Sequence, residues 1–141
     1  MRLELKLENH TLVIGLGVAG LIPFLASASW AISERINYIP IIGFCYYSAG
    51  ILCFLAGTLW RHRGQKTSLM LQSNAITLLA VLALILFHVS YYYTLYLLLI
   101  GFSWILYLDC RKTDYDAWYK QFRLAISAVV LLLHSLLLAL V

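Results

Sequence analysis

The chain has 141 residues, of which 63% are hydrophobic and 11% charged. Soluble domains carry about 25% charged residues, so this composition excludes an ordinary water-soluble fold. The formal net charge of +4 does not point to nucleic acid, because phosphate binding needs an exposed basic surface and nearly all the basic residues fall in three short segments.

Residues 1–10 carry Arg2, Glu4, Lys6 and Glu8 and precede an uncharged run from Thr11 to Ser33. At about 1.5 Å per residue that run crosses a hydrocarbon core of about 30 Å, so a membrane helix is predicted over 11–33. Ala26-Ser27-Ala28 imitates a signal-peptide cleavage site. The mixed charge of the first ten residues and the continuation of the apolar run to Ile32 argue for retention instead. Gly15-Leu16-Gly17-Val18-Ala19-Gly20, with Glu34 further on, imitates a dinucleotide fingerprint. A Rossmann unit needs strand, turn, helix and second strand, and a single uncharged span fills the interval. Gly17 and Gly20 are therefore assigned to helix packing, on one face with Val13, Phe24, Ser27 and Ala31. Pro23 removes the hydrogen bond to the Ala19 carbonyl and predicts a kink.

A second helix is predicted over 37–60. Gly43, Tyr47, Gly50, Phe54, Gly57 and Arg61 step by four and three, so glycines alternate with aromatic rings on one face. Helices one and two are expected to pack through Gly17, Gly20, Gly50 and Gly57, the alternative being a ligand groove floored by glycine. Cys45 and Cys53 share this helix, about 12 Å apart, too far for a disulfide.

Between Lys66 and Asp109 lie 42 residues without a formal charge. They cover about 63 Å as helix, two crossings, predicted over 68–88 and 91–109 with a turn near His88-Val89-Ser90. Tyr91, Tyr92 and Tyr93, with Trp30 and Tyr38, suit headgroup depth on one side, and Trp60, Tyr107, Trp118 and Tyr119 on the other. A fifth helix is predicted over 116–140, with Thr113 or Asp114 as its cap and Asp116 in its first turn. Arg123, Ser127 and His134 fall on one of its faces.

The expected fold is thus all-α, a single polytopic bundle of five transmembrane helices. Arg2, Lys6, Arg61, Arg63, Lys66, Arg111, Lys112, Lys120 and Arg123 all lie on one side of such a bundle, and only Arg35 lies opposite. The positive-inside rule places the N-terminus inside and the C-terminus outside. That inside is the cytoplasm, or the matrix of a mitochondrion.

Two polar groups of residues stand out. At the inner rim, Arg61, Asp109, Trp118, Tyr119 and Arg123 are expected to form a charged, aromatic cluster. Deep in the bundle, His134 is the one ionisable side chain. An unpaired polar group in hydrocarbon is costly, so a neutral His134 is expected to face inward and bond Tyr46, Tyr47, Tyr96 or Ser27, which reach similar depths.

Leu16-Gly17-Val18-Ala19-Gly20-Leu21-Ile22-Pro23-Phe24, Tyr47-Ser48-Ala49-Gly50-Ile51-Leu52-Cys53-Phe54-Leu55-Ala56-Gly57 with Trp60, and Trp118-Tyr119 with Arg123-Leu124 together resemble a known family. It is an uncharacterised family of small bacterial inner-membrane proteins with mitochondrial relatives, a domain of unknown function. The resemblance spans about residues 14–135. The chain has Arg61 where the family pattern usually has glycine, Cys53 where it has serine and Ala56 where it has a second glycine. The resemblance implies a fold and no reaction.

No carboxylate lies within any predicted span except at its end residue, and four scattered histidines make neither a metal site nor a catalytic dyad. The protein is read as non-enzymatic, and the residues assign no cofactor. A chain without soluble domains and with small-residue faces is best read as an accessory or assembly component of a larger membrane complex, with the lipid bilayer and a membrane-protein partner, or a second copy, as its surroundings. The alternatives are a binder of a quinone, lipid or tetrapyrrole within the bundle, and a homo-oligomeric transporter or channel.

Overall fold

Backbone in hydrocarbon must satisfy its N–H and C=O groups within its own segment, and a lone apolar run does so as a helix. The computed structural model describes residues 2–34, 38–60, 67–111, 113 and 115–140. They form five helices: α1 (Arg2–Ser33), α2 (Tyr38–Gly57), α3 (Thr67–Leu86), α4 (Tyr91–Arg111) and α5 (Ala117–Leu140). Each contains a span long and apolar enough to cross a membrane, and together they make a multi-pass membrane protein. Its outer surface is apolar, with Leu16, Phe54, Leu78 and Leu132 all more than 60% exposed. A soluble monomer rarely shows so much contiguous apolar surface, whereas lipid accepts it.

Helix α1 begins nine residues earlier than the charge pattern predicts, at Arg2 instead of position 11. Charge ends a membrane span but does not end a helix. Residues 2–8 alternate leucine with Arg, Glu and Lys, all strong helix formers, so the helix continues out of the apolar region that starts at His10. Its 32 residues extend for about 48 Å. Similarly, α4 runs on to Arg111 and so carries Asp109 within the helix.

Helix α2 touches α1, α3 and α4, and α4 touches α2, α3 and α5, while α1 and α5 meet each other. The four helices α1, α2, α4 and α5 therefore close a ring, and α3 fills the outer groove between α2 and α4. Burial follows this order: 44% of the α2 and α4 spans is buried, against 11% of α1.

Hydrogen bonds between spans fasten α1 to α2 and hold α3 against the ring. The Tyr47 hydroxyl donates to the Gly20 carbonyl at 2.9 Å, one residue beyond the Ala19 carbonyl that Pro23 leaves without its donor. The Ser73 hydroxyl donates to the Ala56 carbonyl at 2.7 Å and accepts from the Trp60 indole at 3.0 Å. Thr94 donates to the Ala83 carbonyl at 2.8 Å, and the Trp104 indole donates to Gln72 at 3.1 Å. The α3–α4 turn occupies Phe87–Ser90, and the Ser90 hydroxyl accepts from the Tyr92 amide at 3.3 Å. At the next connection Thr113 turns back and donates to the Asp109 carbonyl at 2.7 Å. It finishes α4 and does not cap α5; Asp116 accepts the first α5 bond, from the Lys120 amide.

The glycines divide differently from the expected pattern. Gly17 does meet a neighbour, but on α5: an added Cβ there would stand 2.5 Å from the Phe122 ring and 2.8 Å from Ile126. Gly20 and Gly43 have ordinary contacts with Tyr47 and Ser27. Gly50 and Gly57 are exposed, with nothing within 4 Å of an added Cβ. The expected α1–α2 contact through Gly50 and Gly57 does not form, because these two positions face outward from the ring. The tight glycine contact of α2 is made from the other side, where Leu52 fills the space above Gly101 of α4.

Candidate binding site

The inner end of the ring is built on one ion pair. Asp109 of α4 is 2% exposed and Arg123 of α5 is 7% exposed. Arg123 approaches a single carboxylate oxygen, Oδ2, with Nε at 2.7 Å and Nη2 at 2.6 Å. The third guanidinium nitrogen, Nη1, donates to the Tyr119 hydroxyl at 3.3 Å. The guanidinium carbon lies 5.4 Å from the Tyr115 ring centre and 5.7 Å from that of Tyr119, within cation–π range. The geometry is incomplete as a pair: Asp109 Oδ1 has no hydrogen-bond partner, and the N–H groups of Nη2 have no aligned acceptor.

Of the inner-rim residues proposed from sequence, the structure thus brings together Asp109, Tyr119 and Arg123. Trp118 adjoins Tyr119 with ring centres 5.6 Å apart and packs on its other side against His10 of α1 at 4.0 Å. Arg61 lies outside the described residues. Tyr115, which the sequence reading left out, completes the aromatic side. A helix-capping motif around it gave no sign of that role.

Above this pair, residues of α1, α2, α4 and α5 line a half-open cavity of about 360 Å³, with the exposed Leu16 and Phe54 at its mouth. Its walls are apolar side chains such as Leu21, Phe24, Leu55, Phe102, Phe122 and Ile126. The polar side chains among its lining residues are Tyr119, Arg123 and Ser127, and Arg123 is its one charged residue.

Next to the cavity, His134 is fully buried among three rings, one from each other helix of the ring. Its ring centre lies 4.7 Å from Phe44, 5.2 Å from Phe102 and 6.3 Å from Phe24. Nδ1 lies 2.8 Å from the Val130 carbonyl oxygen, one turn back on its own helix. A carbonyl only accepts, so Nδ1 carries the proton. Nε2 has no partner. The expected bonds to Tyr46, Tyr47, Tyr96 and Ser27 do not form. Tyr46 and Tyr96 are 50% and 51% exposed and face outward, Tyr47 is held by Gly20, and Ser27 lies against Gly43. Depth along a helix does not determine which way a side chain points. Among the described residues no group of three or more His, Cys, Asp and Glu side chains could hold a metal ion, and Cys45, Cys53 and Cys110 are free thiols.

The family model described as "Protein of unknown function (DUF3429)" matches residues 9–140. The chain belongs to the DUF3429 family. That match covers all five spans, so ring, cavity and inner pair all lie within the DUF3429 segment. Among curated proteins and among solved structures, no match is found.

Proposed function

We propose that the protein is a non-enzymatic membrane protein that holds an apolar or amphipathic small molecule within its ring of four helices. The supporting observation is the cavity. This half-open space of about 360 Å³ falls in the range of small-molecule sites, about 300–1,000 Å³. Its walls are too apolar to hold a cluster of water, which needs several polar partners per molecule. A membrane lipid, a quinone or another hydrophobic small molecule suits such walls. The test is extraction and mass spectrometry of the protein purified in mild detergent, with Ile126→Trp as a variant that fills the cavity. A compound enriched in the wild type and depleted in Ile126→Trp is expected. Identical extracts from both, matching an unrelated membrane protein, would end this reading.

A second reading is an accessory component of a larger membrane complex, and the outward face of α2 favours it. Gly50 and Gly57 lie open beside Phe54, which is 69% exposed, and small residues let another membrane helix approach closely. Loss of a copurifying protein from Gly50→Leu, with the monomer's stability kept, would support it. The distribution of basic residues favours the N-terminus inside and the C-terminus outside, and the family resemblance favours an inner membrane, bacterial or mitochondrial.

A further inference from the structure

An opening below the membrane surface meets lipid tails before it meets water. The mouth of the cavity lies at Leu16 and Phe54, which are 66% and 69% exposed. Leu16 is six residues inside the apolar span that begins at His10, about 9 Å along α1, and Phe54 is three residues before the end of α2. On the water side of the mouth, the start of α5 is tied to its neighbours. Trp118 packs on His10 of α1 at 4.0 Å, and the Tyr115 hydroxyl donates to the Thr58 carbonyl, just after α2, at 3.4 Å. Towards the midplane the Tyr47–Gly20 hydrogen bond draws α2 onto α1. The mouth is therefore a slot between the inner halves of α1 and α2.

The space behind the slot is long and narrow. Its lining runs from Val13 to Phe24 on α1 and from Tyr119 to Val130 on α5. Each stretch climbs about 16 Å, roughly half of a hydrocarbon core of about 30 Å. Spread over that length, about 360 Å³ leaves a lane about 20 Å² in section, the room taken by one saturated chain whose carbons touch their neighbours at about 4 Å. A substituted ring needs more width. One end of the lane lies level with Arg123 at the rim, and Phe24, Phe102 and Val130 stop the other. Arg123 is engaged by Asp109 and Tyr119, so the lane offers apolar burial and dispersion contacts along its length and no free charge at its end.

We propose that the cavity holds one acyl chain of a membrane lipid from the leaflet on the Arg123 side, which enters sideways between α1 and α2 and leaves its head group at the bilayer surface. This rests on the reading of the cavity as a binding site and names its occupant. The full chain is placed in phosphatidylcholine nanodiscs with a trace of phosphatidylcholine that carries a photoactivatable diazirine on one acyl chain, either next to the ester or at the chain end. Crosslinked residues are read by peptide mass spectrometry in the wild type and in two variants that narrow the lane, Ile126→Trp and Ile51→Phe. Leu78 and Leu132 are exposed and do not line the cavity, so their unchanged labelling identifies a variant that keeps its fold. Binding of tetramethylbenzoquinone, a ring without a tail, is measured on the same samples.

The ester-side probe should label Phe122, which faces Gly17, and the chain-end probe Leu21, one turn nearer the midplane than Gly17. Both labels should fall by about tenfold in a variant that keeps its fold. Equal labelling of Phe122 and Leu21 by the two probes would mean that no chain lies in register, and overturns the proposal. Absence of lipid labelling there, with tetramethylbenzoquinone bound by the wild type and not by the variants, identifies a ring site: the acyl-chain proposal falls and the cavity reading stands. If neither the lipid probes nor the quinone distinguishes the wild type from the variants, the cavity reading fails and the proposal with it.

Discussion

Leu52 of α2 and Gly101 of α4 interlock so closely that a Cβ at position 101 would collide with a Leu52 methyl and force that buried side chain to shift. Both residues are buried, Leu52 completely. This contact sets how near the two central helices of the bundle approach. Gly101→Ala gains up to about 1 kcal/mol from helix propensity and loses about 1–3 kcal/mol from overpacking, so overpacking should win. Gly50→Ala meets open space and keeps only the gain. Thermal melts in detergent should show Gly101→Ala lowered and Gly50→Ala unchanged or raised; the reverse order would contradict the α2–α4 interface.

The Asp109–Arg123 pair is expected to behave as a buried pair. Asp109→Asn leaves a buried guanidinium without its counter-charge, which costs about 3–5 kcal/mol when such a pair is broken. Replacing both partners, as Asp109→Leu with Arg123→Met, should recover most of that loss, since the desolvation of both charges disappears together. Chemical or thermal denaturation of Asp109→Leu, Arg123→Met and the double variant measures this. Additive losses would show that the two side chains do not act as a unit.

His134 carries a different expectation. Its Nδ1–H is bonded within α5 and its Nε2 has no partner among three phenylalanines. His134→Leu removes the unpaired acceptor and roughly keeps the volume, and such exchanges are nearly neutral or stabilising. His134→Ala removes the ring as well and should cost about 2–5 kcal/mol as a cavity. A large loss for His134→Leu would mean that Nε2 holds a bound group.

The orientation of the spans can be read by cysteine labelling. In a background with Cys45, Cys53 and Cys110 replaced by alanine, Val89→Cys lies in the α3–α4 turn and Ala117→Cys at the start of α5, both exposed. An impermeant maleimide added to intact cells or inner-membrane vesicles should reach Val89→Cys from outside and Ala117→Cys only from inside. Labelling of both from one face would break the five-span topology, and labelling in the opposite sense would overturn the orientation drawn from the basic residues.

The number and order of the spans were legible because charge is costly in lipid wherever it points. The 42 residues before Asp109 could only be two crossings, and α3 and α4 turn at Phe87–Ser90, close to the expected place. The direction of each face was not legible. In water an apolar stripe marks the core, but in lipid the outward face is as apolar as the inward one. Gly50 and Gly101 are therefore indistinguishable as letters, and the outward one carried the expected contact. Tyr46 and Tyr96 matched His134 in depth but not in rotation. Asp109 and Arg123 could be paired in advance because both are charged at one membrane level. The cavity beside them could not, since it arises where four helices leave space between them.

The ion pair also bears on how the chain enters the bilayer. Arg123 arrives on α5, and a lone arginine costs about 2.5–3.5 kcal/mol at the centre of a span on insertion scales and less towards the rim where Arg123 lies. Its counter-charge is only 14 residues upstream, about one to three seconds earlier at a synthesis rate of 5–20 residues per second. Inserted alone, α4 would carry an unpaired carboxylate to the membrane rim and α5 an unpaired guanidinium. Released as a hairpin, they carry an ion pair of no net charge. The pair thereby couples the membrane entry of α4 to that of α5.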